Sequence, residues 1–178
     1  MNITVKDMTL CALFAALLAV IAPFSINIGP IPISLATFIV YLTGVVIGAW
    51  RGTVAVLVYL LLGAVGLPVF SNFAGGLQKL VGVTGGYLIG YLPCVFLTGL
   101  FADRFEKPWL WALGMAAGTA VLYAVGTAWF CFVSGSGLVQ ALGVCVVPFL
   151  PGDAIKIAAA ALLGVTLRMI VKKTLKAR

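Results

Sequence analysis

The chain has 178 residues, of which 63% are hydrophobic and only 8% are charged. A soluble domain is about 45–50% apolar and about 25% charged, so this composition excludes a typical soluble fold. The net charge of +7 would suit a nucleic-acid-binding protein, but basic residues after an apolar helix more often face anionic lipid at the inner side of a membrane. The sequence therefore predicts an all-α integral membrane protein in a lipid bilayer, with no nucleic-acid partner.

Six apolar segments approach the about 20 residues that a helix needs to cross a bilayer. We expect residues 1–178 to form a single membrane domain, since the sequence contains no internal repeat and no soluble stretch. Met1–Ala22 is similar to a signal peptide, but we expect it to remain as the first helix because the rest of the chain is too apolar to be secreted. The predicted spans are Met8–Phe24, Ile33–Ala49, Thr53–Leu67, Gly85–Ala102, Trp109–Phe132 and Pro148–Val171.

The connections between these spans differ in character. Asn27–Pro32 is rich in proline, Trp50–Gly52 is predicted to be a tight turn, and Asp103–Pro108 is a short charged loop. Pro68–Thr84, between helices 3 and 4, is polar and rich in glycine. In the last, uncharged connection we expect a short interfacial helix near Leu138–Val147.

The basic residues predict the orientation of the chain. With the N-terminus inside, nine of the eleven Lys and Arg residues lie on the inner side, and only Lys79 and Lys156 lie in the outer half. The positive-inside rule then predicts six transmembrane helices with both termini in the cytoplasm. The inner residues are Lys6, Arg51, Arg104, Lys107, Arg168, Lys172, Lys173, Lys176 and Arg178.

Some kinds of chemistry are excluded by residue type. The four cysteines lie in apolar runs without metal-binding spacing, and the sequence contains no histidine. A zinc site of the usual kind and a histidine-based catalytic triad are therefore excluded. The phosphate-binding motif Gly-x-x-x-x-Gly-Lys-Ser/Thr is also absent, so we expect no metal, no cofactor and no ATPase activity in this chain.

Asp153 and Lys156 are two charges at the outer start of the sixth helix. Because they are three residues apart, they share one helix face. If the helix begins near Pro151, Lys156 lies about 8 Å into it. A charge at that depth indicates a functional site, and an adjacent acceptor and donor would suit an amide or urea ligand. The alternative is a structural pair, with Asp153 favoured by the helix dipole and Lys156 paired or extended to the interface.

The Gly-rich stretch Pro68–Thr84 is the second candidate site. Glycines let the backbone approach a ligand closely, and irregular backbone at membrane depth must be buried in protein or line a cavity. The alternative is a plain outer loop. Polar groups in or beside this stretch are supplied by Asn72, Gln78, Lys79, Thr84 and Tyr87.

Small residues on the first helix form two overlapping pairs with small-x-x-x-small spacing. The pairs are Ala12 with Ala16 and Ala15 with Ala19. Such pairs allow helices to approach closely, either within one chain or against another membrane subunit.

Three blocks occur in a characteristic order: Gly63-Ala-Val-Gly-Leu-Pro-Val-Phe70, Gly82-Val-Thr-Gly-Gly-Tyr-Leu-Ile-Gly90 and Val147-Pro-Phe-Leu-Pro-Gly-Asp-Ala-Ile-Lys156. Together they resemble the BioY family, the biotin-specific substrate-binding (S) components of energy-coupling factor (ECF) transporters. The resemblance implies six helices and a biotin pocket near the outer surface, which the loop between helices 3 and 4 helps to close.

The resemblance also implies roles for particular residues. Asp153 would accept a hydrogen bond from a ureido N–H of biotin, and Lys156 would donate to the ureido oxygen or to another acceptor. From the loop that helps to close the pocket, we expect Gly75, Gly76 and Tyr87 to contribute. An Ala-x-x-x-Ala motif in helix one contacts the transmembrane coupling subunit in this family, and it falls on Ala12/Ala16 or Ala15/Ala19. Two ATPase subunits would complete the transporter, so this chain is not expected to be an enzyme.

The chain departs from the family pattern at four positions. Val83 replaces a common proline, Ala36 falls where many members have glutamine, and Ala74 and Leu88 fall where some have asparagine and arginine. Asn72 or Lys79 would then supply the loop's polar contacts, and Lys79 is the expected partner of the valerate carboxylate. Three alternatives remain open: an S component for another vitamin, a small membrane enzyme with Asp153 as its only outer acid, and a passive channel or structural membrane protein.

Overall fold

A computed structural model describes residues 4–27 and 31–176 of the chain, and it is mostly α-helical. Residues 1–3 of Met1–Ala22, residues 28–30 of the Pro-rich link and residues 177–178 of the basic tail lie outside this description. The elements in chain order are α1 (Val5–Ile21), β1 (Ser25–Asn27), β2 (Pro32–Ser34), α2 (Ala36–Ile47), α3 (Ala49–Ala64), a 3-10 turn (Ser71–Phe73), α4 (Leu77–Val81), α5 (Gly85–Arg104), α6 (Pro108–Ser134), α7 (Leu138–Cys145) and α8 (Leu150–Lys176).

The long helices coincide with the apolar segments of the sequence. Within the described ranges, α5, α6 and α8 are each long and apolar enough to cross a membrane. α2 and α3 are apolar but shorter, with 12 and 16 residues. The short helix expected near Leu138–Val147 is confirmed as α7. These features are those of a multi-pass membrane protein.

The link between α1 and α2 contains a β-hairpin that the apolar pattern did not predict. β1 and β2 pair in antiparallel fashion, with Ser25 opposite Ser34 and Ile26 opposite Ile33. Pro32 favours this extended backbone because its φ is fixed and it restricts the residue before it. The second helix therefore begins at Ala36 rather than at Ile33, and the hairpin lies against its N-terminal end.

α5 lies at the centre of the helix packing, in contact with α2, α3 and α6. Small residues bring α5 and α6 close together. A Cβ atom at Gly86 of α5 would lie 2.2 Å from Cβ of Trp129 on α6. A Cβ atom at Gly126 of α6 would lie 2.4 Å from the ring of Tyr87 on α5. Close approach through small residues is the usual way in which membrane helices associate.

The turn between α2 and α3 lies at Gly48, which has a φ of +85°. The carboxylate of Asp103, from the end of α5, accepts a hydrogen bond from the Ala49 N–H at 2.9 Å. A Cβ atom at Gly48 would lie 2.7 Å from that carboxylate, so only glycine suits both the backbone and the space. The predicted turn at Trp50–Gly52 was wrong by a few residues, since those residues already belong to α3.

Arg168 is buried, with 8% exposure, although the sequence grouped it with basic residues facing lipid. Its guanidinium donates to the backbone oxygen of Val45 and, at 2.8 Å, to that of Ala102. It also donates to Asp103 Oδ1 at 3.0 Å, and it lies over the ring of Trp111. The two backbone oxygens belong to the last turns of α2 and α5, where a cation is favoured by the helix dipole. Arg168 therefore joins three helices at one end of the bundle.

We expect Arg168→Met to destabilise the protein by about 1–3 kcal/mol, because two backbone oxygens and Asp103 lose their donor. Lys172→Met is the matched control, since Lys172 is exposed one turn further along α8, and its effect should stay within about 0.5 kcal/mol. Thermal unfolding of the detergent-purified proteins measures both changes. Equal stability of the two variants would contradict this role for Arg168.

Candidate functional site

A cavity of about 50 Å³ lies at the N-terminal end of α8. Its walls come from α2, α5, α6, α7, α8 and the residues around β2. Most of the lining is aromatic or aliphatic, and a few polar groups point into it. The lining residues are Ile31, Pro32, Ser34, Thr37, Tyr87, Tyr91, Leu122, Tyr123, Cys145, Phe149, Asp153 and Lys156.

Asp153 and Lys156 form a buried ion pair in the wall of this cavity. Lys156 Nζ lies 3.0 Å from Asp153 Oδ1, and the two side chains are 12% and 5% exposed. The prediction that they share one face of the helix is confirmed. A buried pair of charges is tolerated only when further hydrogen bonds complete its solvation, so the neighbours of both groups matter.

The carboxylate of Asp153 receives hydrogen bonds from two other helices. Thr37 of α2 donates through its hydroxyl to Oδ1 at 3.3 Å. Tyr123 of α6 donates through its phenol to Oδ2 at 2.5 Å. Asp153 therefore connects α2, α6 and α8 at the wall of the cavity.

The ammonium group of Lys156 uses all three of its N–H donors within the protein. It donates to the backbone oxygen of Ser34 at 2.8 Å, to the Thr37 hydroxyl at 3.0 Å and to Asp153. A lysine ammonium has three donors and no acceptor. A ligand oxygen can therefore bind Lys156 only by replacing one of these partners.

A second cavity of about 30 Å³ adjoins the first one and shares part of its wall. Tyr87 and Tyr91 line both cavities, together with Ile31 and Pro32. Lys79 of α4 lines only the second cavity of the two. The ion pair therefore lies at one end of the two adjoining cavities and Lys79 lies at the other end. Tyr87 and Tyr91 lie between them.

A groove of about 470 Å³ lies between the β-hairpin and the Ser71–Phe73 turn, and Lys156 also contributes to its lining. Ser25 donates through its hydroxyl to Asn72 Oδ1 at 3.0 Å, which links the hairpin to the turn. Phe24 and Phe73 pack edge to face with ring centroids 5.3 Å apart. Lys156 therefore lies between this groove and the first cavity.

Two of the glycines predicted for the site have structural roles in the loop. A Cβ atom at Gly75 would lie 2.3 Å from the backbone oxygen of Leu67. Gly76 has a φ of +91° and donates its N–H to the backbone oxygen of Gly63 at 2.7 Å. Both glycines shape the turn that carries Asn72 and Lys79, and neither lines the two cavities or the groove.

The four alanines of α1 divide between two environments. Ala15 is buried, with 2% exposure, and Ala19 is half-buried. Ala12 and Ala16 are exposed on the outer surface of the helix. Of the two spaced pairs, Ala12 with Ala16 is therefore the one available for contact with another protein.

Ser34, Thr37 and Tyr123 are site residues that the sequence did not reveal. They belong to no motif, and they lie 30 or more positions away from Asp153. The available signal was indirect, because a buried ion pair needs additional polar partners and such groups are few in apolar helices.

The model of the BioY family matches residues 1–173. The biotin transporter BioY of Thermotoga maritima is 42% identical over 166 residues, which cover 93% of this chain and 97% of that protein. The biotin transporter BioY of Rhodobacter capsulatus is 37% identical over 188 residues, with 97% and 98% covered. The crystal structure of the S-component for biotin from an ECF-type ABC transporter superimposes with a TM-score of 0.86 at 29% identity, covering 93% of this chain and 92% of that one.

Gly126 tests the close packing behind the cavity wall. We expect Gly126→Ala to destabilise the protein by about 1–3 kcal/mol, because the new methyl group would overlap the Tyr87 ring. Gly143→Ala in α7 is the control, since no atom of the described residues outside the local backbone of α7 lies within 4 Å of the position of its Cβ. Thermal unfolding of both variants in detergent measures the difference, and a Gly126→Ala protein as stable as Gly143→Ala would contradict the packing.

Proposed function

The chain belongs to the BioY family, and from this we propose that it captures biotin at the outer face of the membrane as the substrate-binding subunit of an ECF transporter. The observation that carries the proposal is the buried Asp153–Lys156 pair in the wall of the cavity. Biotin contains a cyclic urea with two N–H groups and one C=O, and this pair offers an acceptor and a donor to such a group.

The urea ring is proposed to bind at Asp153 and Lys156. Oδ1 of Asp153 already receives two donors, whereas Oδ2 receives one from Tyr123. An ionised carboxylate has about four acceptor positions, so the open position is on Oδ2 and suits a ureido N–H. The ureido oxygen takes one donor of Lys156 by replacing Ser34 or Thr37.

The valerate chain is proposed to pass between Tyr87 and Tyr91 towards the second cavity. Lys79 lines that cavity and supplies a positive charge for the carboxylate. Asn72, Gly75 and Gly76 support this end through the loop that they shape. The polar contacts of biotin are then divided between the two ends of one elongated site.

Biotin binding requires the walls of the site to move apart. Ligand pockets usually have volumes of about 300–1,000 Å³, far above the about 50 and 30 Å³ of the two cavities. The groove between the hairpin and the Ser71–Phe73 turn reaches Lys156, so we propose it as the entrance. Entry of the ligand then involves separating the hairpin from the turn.

In this proposal, residues 1–178 form one domain with six membrane spans and both termini in the cytoplasm. The spans are α1, α2, α3, α5, α6 and α8, and short helices such as α2 are extended by non-helical residues at their ends. The nine inner basic residues support this orientation. A transmembrane coupling subunit and two ATPases supply the energy for uptake, and this chain performs no catalysis.

Binding of biotin to the detergent-purified protein tests the proposal directly. We expect a dissociation constant below micromolar for biotin, and far weaker binding of riboflavin and thiamine. Asp153→Asn should weaken biotin binding by about tenfold to a hundredfold, because a charged hydrogen bond contributes about 1.5–3 kcal/mol. Lys156→Met should lower both affinity and stability, because it leaves the buried carboxylate unpaired.

Lys172→Met is the control for these variants, since it removes an exposed lysine from the same helix and should leave affinity unchanged. Failure of the unmodified protein to bind biotin at micromolar concentration would overturn the proposed function. Normal binding by both Asp153→Asn and Lys156→Met would instead mean that the ion pair is only structural.

The exposed alanine pair on α1 is proposed to dock the coupling subunit. Ala16→Leu should leave biotin binding intact but reduce uptake by cells that contain the complete transporter, because the larger side chain prevents close helix approach. Ala158→Leu, at an exposed position of α8, is the matched control and should support normal uptake. Loss of biotin binding by purified Ala16→Leu would indicate internal packing instead.

A further inference from the structure

Tyr123 occupies an unusual position among the groups around the ion pair. It lines the cavity, and its phenol donates to Asp153 Oδ2 over a distance of 2.5 Å. A phenol holds its proton far more strongly than a carboxylic acid does, so the proton lies on Tyr123 and the negative charge on Asp153. The single donor of the tyrosine is therefore committed to the carboxylate.

The oxygen of Tyr123 can still accept a hydrogen bond. A phenol oxygen both donates and accepts, and within the described part of the chain no group donates to this one. Oδ2 of Asp153 likewise has one acceptor position left. Two acceptors thus lie side by side in the cavity wall, and neither donates to a ligand as long as Tyr123 keeps its hydrogen bond to Asp153.

We propose, on the basis of the proposed function, that Tyr123 contacts the ligand and determines specificity: its oxygen and Asp153 Oδ2 jointly accept one N–H of the ligand's urea group. Two acceptors 2.5 Å apart fit one N–H that is shared between them. This is a three-centre hydrogen bond, of the kind that is common at helix termini. Asp153 alone could accept an N–H, but Tyr123 orients the open lone pair of Oδ2 and adds an acceptor of its own.

This pair of acceptors also rejects the wrong ligand. A ring oxygen in place of the ureido N–H would direct its lone pairs at two acceptors, and Tyr123 could donate to it only by giving up its hydrogen bond to Asp153. Sites built around a ligand N–H discriminate strongly against analogues that lack it, because the buried polar groups are then left unpaired. Tyr123 should therefore contribute to the choice between a urea and a carbamate of the same shape.

The experiment compares biotin with its two cyclic carbamate analogues, in each of which oxygen replaces one ureido N–H. The discrimination ratio is the dissociation constant of an analogue divided by that of biotin. In Tyr123→Phe we expect this ratio to fall about tenfold for one analogue and to remain unchanged for the other. Tyr41→Phe is the matched control, because Tyr41 is a buried tyrosine that shares a 2.6 Å hydrogen bond with Thr119, one turn before Tyr123. Its ratios should equal those of the unmodified protein.

Unchanged ratios for both analogues in Tyr123→Phe would overturn the inference, even if biotin itself bound more weakly. A merely structural role would weaken all three ligands by the same factor and would lower the thermal midpoint as Tyr41→Phe does. Failure of the unmodified protein to bind biotin would instead overturn the proposed function, so the two failures are distinguishable.

Discussion

A charge inside an apolar helix bundle is stable only when partners from several helices surround it, and α8 meets this requirement near both of its ends. Lys156 donates to the backbone oxygen of Ser34, just before α2, and Arg168 donates to that of Val45, near the end of α2. The two residues are about 18 Å apart along α8 at 1.5 Å per residue. Because Lys156 also donates to Thr37 of α2, α8 is joined to both ends of α2 by largely buried cations, and protein oxygens take the place of solvent around them.

The two junctions have different consequences because their surroundings differ. Arg168 contacts carbonyl oxygens of α2 and α5 and the carboxylate of Asp103, all within the helix packing. Lys156 borders a cavity on one side and a groove on the other, and one of its partners belongs to the β-hairpin. Under the proposed function, a ligand oxygen competes with that hairpin partner, so ligand binding and the position of the hairpin are energetically linked.

The sequence predicts what depends on local pattern and misses what depends on contacts between distant residues. Apolar runs indicated the long helices, and the spacing of Asp153 and Lys156 indicated their pairing on one face. The hairpin was missed because its strands are too short to show an alternating pattern. The burial of Arg168 was missed because its partners lie 65 or more residues away in sequence. Tyr123 and Thr37 were missed for the same reason.

The fold shows where two of the apolar residues that depart from the family pattern lie. Ala36 is buried at the start of α2, and Leu88 is buried in the lining of the second cavity. Neither side chain can hydrogen-bond to a ligand, so under the proposed function the polar recognition of biotin rests on fewer groups. A buried polar group of the ligand must still be paired, because an unpaired one costs about 1–3 kcal/mol. More of the binding free energy from polar contacts must therefore come from Asp153, Lys156 and Tyr123, which line the first cavity.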